Sequence, residues 1–277
     1  MSPELLCLLA PGDAKSAAVD WAQFELHVVE SPDDPAFEEA YAALWREFGP
    51  IAEIETPAVL ALRLGWDPAA AIDGLHLRYR LVLLTCQGRF AAARDHTAIV
   101  PVAGEGCVVH LSHLLVAPDF RRSGVAGAMR AFPLLTAREC IAIAGLDPSM
   151  PVTLAAEMEH ADAGNPARMR RLLAYDRAGY LKPDPRAVPY LQPDFREPAD
   201  IDGSGGPLPL PFSLILRRIG REQERAISGG ELRRIASTLC RMYALGFREA
   251  DMAPVWASLD QFPPDDAQVP LLPPSAA

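Results

Sequence analysis

The stretch Val109-His-Leu-Ser-His-Leu-Leu-Val-Ala-Pro-Asp-Phe-Arg-Arg-Ser-Gly-Val-Ala-Gly-Ala-Met-Arg130 holds the residues best suited to grip an anion. An apolar run ends at Pro118, which has no N–H to give to a strand ladder. A turn of small residues and arginines follows: Arg121, Arg122, Ser123, Gly124, Val125, Ala126 and Gly127. Small side chains let backbone N–H groups approach an anion at the positive end of the helix that begins there, and the two arginines add charge-assisted bonds. That chemistry fits a pyrophosphate. Arginine and glycine on a strand-turn-helix junction also serve solubility and turning, so the surrounding pattern has to separate the two readings.

Titratable residues lie on both sides of this turn. His110 and Ser112 share one face of the strand that leads into it, and His113 points to the other unless a bulge changes the parity. An unperturbed imidazole titrates near 6.5, roughly where a proton acceptor is useful. Glu157 and Glu159 share a face of a later strand and could accept a proton through a water or hold a cationic amine. Lone strand histidines are more often structural and strand-end glutamates more often solvated, so the residues alone leave the choice of base open.

The spacing Val116-x-Pro118-x-x-Arg121-x-x-Gly124-x-Ala126 resembles the acetyl-CoA-binding motif of the GNAT superfamily of N-acetyltransferases. Further on, Ala174-Tyr-Asp-Arg-Ala-Gly-Tyr180 is similar to that family's Leu-Tyr-Glu-Lys-x-Gly-Phe. The resemblance covers the middle of the chain and implies an α/β fold: a mixed, mostly antiparallel central sheet with a V-shaped splay between strands 4 and 5. It implies that the pantetheine arm enters between the strand ending at Val116 and the strand starting near Val152. The arm would pair there with the backbone of Leu114, Leu115 and Val116. Acetyl-CoA is then a co-substrate and no metal is needed.

An attacking alkylamine is mostly ammonium at neutral pH, with a pKa of roughly 10, so transfer needs a base, and the leaving thiolate gains from a proton donor. By its place in the motif Tyr175 is that donor. Arylalkylamine acetyltransferases, a branch of the family, place two histidines where His110 and Ser112 stand, and only the first is kept here. His110 and Glu157 are the base candidates, with Ser112 and Glu159 as contacts for the acceptor. The family often has an asparagine seven residues before the tyrosine. Here Arg168 occupies that place and Asn165 lies ten before, where it can still reach the cofactor end of the helix but reads most simply as a helix cap followed by Pro166.

These residues suggest direct acetyl transfer to a primary amine on a small molecule, peptide or protein, in a ternary complex, since no cysteine stands near the motif as an acyl carrier. A catalytically silent acyl-CoA-binding or interaction module is the alternative, and the presence of Tyr175 beside the turn argues against it. A nucleotide transferase would want a Walker lysine or a metal cluster, and the sequence offers neither.

The elements that must carry these residues are readable from pattern. Phe24 to Glu30 alternates as a strand, and Asp34 caps a helix with Phe37, Tyr41, Leu44, Trp45 and Phe48 at helical spacing. Pro57 to Leu64 is a shorter helix. Tyr79 to Cys86 and Arg89 to Ala93 flank the turn pair Gln87-Gly88 as a hairpin. Cys107 to Val116 is the strand before the turn, and a helix runs after it to about Arg138. Strand Val152 to Glu157 and helix Pro166 to Arg177 follow, then strands Ala187 to Leu191 and Phe212 to Arg217, separated by a mobile Gly/Pro loop, Asp200 to Pro211.

Beyond residue 218, Ser228 and Glu231 form a capping box for a helix striped by Leu232, Ile235, Leu239 and Met242, and a short helix near Pro254 to Leu259 follows. The division expected is an acyltransferase domain over 1–218, a helical appendage over 219–262 without a convergent titratable group, and a loose Pro-rich tail over 263–277. The appendage packs on the main domain or on a partner, a homodimer being one such assembly.

Composition excludes whole classes. The chain has 277 residues, half of them apolar, enough for a large core, and 36 acidic against 26 basic residues give a net charge of -10. That sign opposes nucleic acid or an anionic membrane surface as a partner. Five scattered cysteines without a CxxC pair suit a reducing cytoplasm, and no run approaches the roughly 20 apolar residues that span a bilayer.

Overall fold

The computed structural model describes residues 3–276, and the chain divides into two compact units, 1–152 and 153–277. The first unit is built on an antiparallel sheet in the order β1 (Phe24–Val29), β2 (Leu75–Cys86), β3 (Arg89–Pro101), β4 (Cys107–Val116). Gln87 and Gly88 both adopt positive φ, 51° and 72°, which is the backbone that a two-residue turn of matching twist requires between β2 and β3. Helix α1 (Pro3–Leu6) and two 3-10 turns, Pro11–Ala18 and Trp21–Gln23, precede the sheet.

Helix α2 (Pro35–Phe48) starts as its sequence dictates, with the Asp34 carboxylate accepting from Ala36 N–H at 2.9 Å. It buries Phe37, Ala40 and Leu44 against the sheet, while Trp45 stays 44% exposed and stacks on Tyr41 at 5.9 Å. The expected apolar stripe is therefore narrower than its aromatic residues suggest. Helix α3 (Pro57–Leu64) follows. Helix α4 (Val125–Ile143) lies on β2, β3 and β4, packing Val125, Met129 and Phe132 with Val82 and Leu84 of β2. It outruns the expected end near Arg138 despite Pro133 in its interior.

The second unit holds an antiparallel set in the order β5 (Val152–Met158), β8 (Leu210–Arg218), β7 (Tyr190–Gln192). Helix α5 (Pro166–Arg177) follows β5, and α6 (Pro198–Gly203) occupies part of the segment expected to be a mobile loop. A second small sheet runs β6 (Lys182–Pro183), β10 (Gln268–Leu272), β9 (Ala226–Ser228). Helices α7 (Gly229–Ala244) and α8 (Glu249–Leu259) pack together, α8 beginning five residues before its expected start. Strands within each unit pair antiparallel, in keeping with the mixed α/β, mostly antiparallel fold. No helix among the described residues is long and apolar enough to cross a membrane.

Two expectations change here. The chain's contacts divide at residue 152, and the C-terminal helices fall within the second unit together with β5, β7 and β8. Nor is 263–277 a loose tail, because β10 pairs with β9 through residues 268 to 270 and with β6 through 271 and 272, burying Val269 and Leu271. Pro270 hid the strand in the sequence. It falls where β10 passes from one neighbour to the other.

The capping box is half formed, since Ser228 Oγ accepts from Glu231 N–H at 3.1 Å, whereas the Glu231 carboxylate turns away to Arg221 and Arg218. Gly229, the first residue of α7, has the carbonyls of Pro263 and Pro264 pressed against the place of a side chain. The expected outcome for Gly229→Ala is a loss of about 1–3 kcal/mol in urea unfolding, as for other overpacked sites. With a loose tail, alanine would instead stabilise the helix by up to about 1 kcal/mol, so the sign of the change decides.

Candidate functional site

Between β4 and α4 the chain passes through a short 3-10 turn, Pro118–Phe120, and then Arg121 to Gly124. Arg122 sits at φ 64° and Gly124 at φ 109°, a pair of left-handed residues that turns the backbone into the helix. Ser123 Oγ accepts from Val125 N–H at 3.3 Å and donates to the Phe120 carbonyl at 2.6 Å. Among the described residues no acceptor meets the N–H groups of Arg122, Gly124 or Ala126. Arg121 and Arg122 are exposed on the same turn, Arg121 giving its Nε–H to the Val116 carbonyl at 3.1 Å. Unfilled N–H groups at a helix N-terminus beside two guanidinium groups can hold an anion with several oxygens.

The glycines of this turn have a second neighbour that the sequence did not suggest. A Cβ on Gly124 would meet the Lys15 backbone and Val19 Cγ2, each at 2.9 Å, and one on Gly127 would meet Asp13 Cβ at 2.7 Å as well as Ser16 Oγ. The 3-10 segment Pro11–Ala18 is fastened there by Ser16 Oγ donating to Gly124 O at 2.5 Å and by the Arg130 guanidinium on the Asp13 carboxylate. Gly124 and Gly127 must stay small for packing, whatever they do for a ligand.

Upstream, Leu114, Leu115 and Val116 are half-buried at the end of β4, paired with Arg94, Ala93 and Ala92. The β3–β4 register slips by one between Asp95 and Thr97, placing His113 opposite Asp95 and His110 opposite Thr97. Asp95 and Thr97 are two apart on β3, so the bulge defeats the alternation that would have set the two histidines on opposite faces. Ser112 Oγ still lies 3.1 Å from His110 Nδ1. His113 is fully engaged, with Nδ1 on Asp95 Oδ1 at 2.8 Å and Nε2 on the Glu53 carbonyl at 2.7 Å. Burial opposes its charge, but the Asp95 carboxylate outweighs burial and holds the imidazole protonated up to about 9.

In the second unit, Asn165 caps α5 by accepting from Arg168 N–H at 3.0 Å. Tyr175 is half-buried on α5, edge-on to the Tyr180 ring at 4.9 Å, and its hydroxyl has no hydrogen-bond partner among the described residues. Glu159 accepts from Arg171 at 2.7 and 2.8 Å and lies 3.5 Å from Arg168, so an incoming amine would have to displace an arginine. Glu157 is held differently: Oε1 accepts from Tyr190 OH at 2.5 Å, and Oε2 from Gln192 Nε2 at 2.9 Å and Tyr243 OH at 2.6 Å.

Sequence reasoning missed all three of these donors. Tyr190 and Gln192, two apart on β7, carried only a weak alternation signal. Tyr243 directly follows the α7 stripe and corrects the expectation that the C-terminal helices hold no convergent titratable group.

No family model matches the chain, and no curated protein does. Among solved structures, a tandem GNAT protein from the clavulanic acid biosynthesis pathway (without AcCoA) is similar. The match covers 61% of this chain and 46% of that one, with a TM-score of 0.41 and 18% identity. The aligned region is thus less than half the length of that protein.

Cys107 at the start of β4 and Cys140 on α4 are both buried, and burial pushes the Cys140 thiol up to about 12. Neither is ionised to serve as an acyl carrier.

The His113–Asp95 pair sets a pH dependence of folding. A histidine whose folded pKa is raised contributes stability in full below its unfolded value of about 6.5, and loses that contribution as pH rises through the folded pKa. The stability difference between wild type and His113→Gln, followed by urea unfolding, is expected to be greatest near pH 5–6 and to shrink toward pH 9. A difference independent of pH would show that His113 is neutral in the folded protein.

Proposed function

We propose that the protein is an acyl-CoA-dependent N-acetyltransferase that passes an acetyl group from acetyl-CoA to a primary amine by direct attack. The observation that carries this reading is the turn at 121–126, where three N–H groups without acceptors among the described residues and two exposed arginines meet at the start of α4. Its spacing is also that of the acetyl-CoA motif described from the sequence. In this proposal Arg121, Arg122, Ser123, Gly124, Val125, Ala126 and Gly127 take the pyrophosphate, and the backbone of Leu114, Leu115 and Val116 takes the pantetheine arm. Asn165, already the cap of α5, contacts the cofactor with the amide nitrogen that capping leaves over.

In the proposed chemistry nitrogen loses two protons and sulfur gains one. A base, Glu157 or His110, takes one proton from the acceptor's ammonium, leaving a lone pair that bonds the thioester carbon. The carbon–sulfur bond breaks as the tetrahedral intermediate collapses, and the thiolate takes a proton from Tyr175, whose unengaged hydroxyl suits a donor. The second proton lost by the new amide nitrogen returns to the tyrosine through solvent. Ser112 and Glu159 are proposed contacts for the acceptor, Glu159 after release from an arginine.

Acetyl-CoA turnover with a panel of primary amines tests the assignment, and cofactor binding without acetylation of any amine would remove it. Tyr175→Phe keeps the ring against Tyr180 and deletes only the hydroxyl. The expected result is a fall in kcat of about 10²–10⁴-fold with acetyl-CoA affinity little changed. Wild-type turnover with chemistry rate-limiting would show that Tyr175 is a packing residue.

A further inference from the structure

The way helix α5 ends fixes the place of Tyr175. Gly179 takes a φ of 81°, Tyr180 N–H donates to the Tyr175 carbonyl at 3.1 Å, and Gly179 N–H donates to the Asp176 carbonyl at 3.0 Å. This is the bond pair of a glycine-terminated helix, in which the residue after the glycine packs on the residue whose carbonyl it binds. Here that contact is the Tyr180 ring, 4.9 Å from the Tyr175 ring. Tyr175 is thus held by the last turn of its helix, and last turns are where helices fray.

A second part of the chain closes over this turn. After Leu271 and Leu272 pair with Pro183 and Lys182, the chain bends back, with Ala276 N–H on the Pro273 carbonyl at 3.0 Å. Ser275 then gives both its N–H, at 3.1 Å, and its hydroxyl to the Asp176 carboxylate. The buried Lys182 donates its ammonium to the Ala276 carbonyl at 2.5 Å. Burial disfavours the Lys182 charge, and Asp184 and Asp176 favour it. Residues 271–276 are therefore bonded to both ends of the stretch from Asp176 to Lys182, with Tyr180 between them.

The helix itself does not call for an acid at this point, because its last turn presents the negative end of the helix dipole, where a carboxylate is unfavourable. Two charge-assisted bonds from Ser275 offset that repulsion, and they come from 99 positions away, outside the motifs that resemble the acetyltransferase family.

We propose that residues 273–276 form a clasp on the end of α5, and that the Asp176–Ser275 contact positions Tyr175 to donate its proton to the leaving thiolate. This rests on the acyl-transfer reading given above, in which the Tyr175 O–H bond breaks as the S–H bond of coenzyme A forms. A proton donor has to meet its acceptor at hydrogen-bond distance, and a misplacement of about 1 Å costs up to roughly 10²-fold in rate. A frayed last turn would therefore slow turnover without removing any catalytic group. Asp176 and Ser275 are positioning residues that act through Tyr175.

The test uses Asp176→Ala in the full chain. Alanine is the better helix former and carries no charge at the negative end of the dipole, so the helix by itself is not weakened and only the clasp is lost. The expected result is a fall in kcat of about tenfold with acetyl-CoA affinity unchanged. In a Tyr175→Phe background the same substitution is expected to change kcat by less than about twofold, because no hydroxyl remains to be positioned. A fluorine label on the Tyr175 ring, followed by ¹⁹F NMR, is expected to give one narrow resonance in the unaltered protein and a shifted or broadened one in Asp176→Ala. Ser275→Ala deletes one of the two bonds, should move both readings the same way by less, and serves if Asp176→Ala does not fold.

An unmoved fluorine resonance would overturn the clasp. A resonance that moves while kcat is unchanged, or falls equally with and without the Tyr175 hydroxyl, would overturn the positioning role. Failure of the unaltered protein to acylate any amine would remove the acyl-transfer reading and with it that role, whereas the fluorine resonance would still decide whether residues 273–276 hold the Tyr175 ring.

Discussion

The start of α4 is where the first unit is most tightly constrained. Gly124 combines a φ of 109°, which the turn needs, with an approach of the Lys15 backbone that leaves no space for a Cβ. Each requirement alone selects glycine, and together they fix where the helix begins and which N–H groups point outward. Ser16, Asp13 and Arg130 then tie the preceding 3-10 segment to the same helix. The three open N–H groups depend on this arrangement: if the turn relaxed into an ordinary helical start, Gly124 would lose the left-handed conformation that orients them.

The same sheet supports a different kind of constraint further along β4. A one-residue bulge opposite His96 brings His113 to Asp95, and the imidazolium bridges that carboxylate and the Glu53 carbonyl, so a buried charge pair holds the connection after α2 against the strand. Both charges are desolvated, and such a pair is retained only with good geometry and further hydrogen bonds, here Tyr79 OH on Asp95 Oδ2 at 3.2 Å. His113 is thereby committed to structure. His110, on the other side of the bulge, keeps Ser112 as a neighbour.

In the second unit, Glu157 and Glu159 meet different neighbours. Charge cancellation by Arg171 and Arg168 makes Glu159 a support for the start of α5, which the Asn165 cap also secures. Tyr190, Gln192 and Tyr243 hold the Glu157 carboxylate in place. The helices beyond residue 228 contribute to that outcome through Tyr243, and the buried strand β10 fixes their root, since Gly229 lies under the carbonyls of Pro263 and Pro264.

What the sequence determined by itself was local. The Gln87-Gly88 turn, the Asp34 and Asn165 caps, the strand ending before Pro118 and the glycine-rich entry to α4 each rest on backbone preferences and hydrogen bonds within a few residues, so composition and spacing suffice to read them. The tertiary structure decided what depends on residues distant in the chain. It set Lys15 against Gly124, Tyr243 on Glu157 across 86 positions, and the Pro-rich C-terminal segment between β6 and β9, where a proline in a strand masks the pairing. It also decided the faces of His110 and His113, because a bulge is specified by the packing of two strands and leaves no mark in the alternation of one. Short-range preferences are written residue by residue, whereas a partner brought by the fold is encoded only in the sum of the contacts that bring it there.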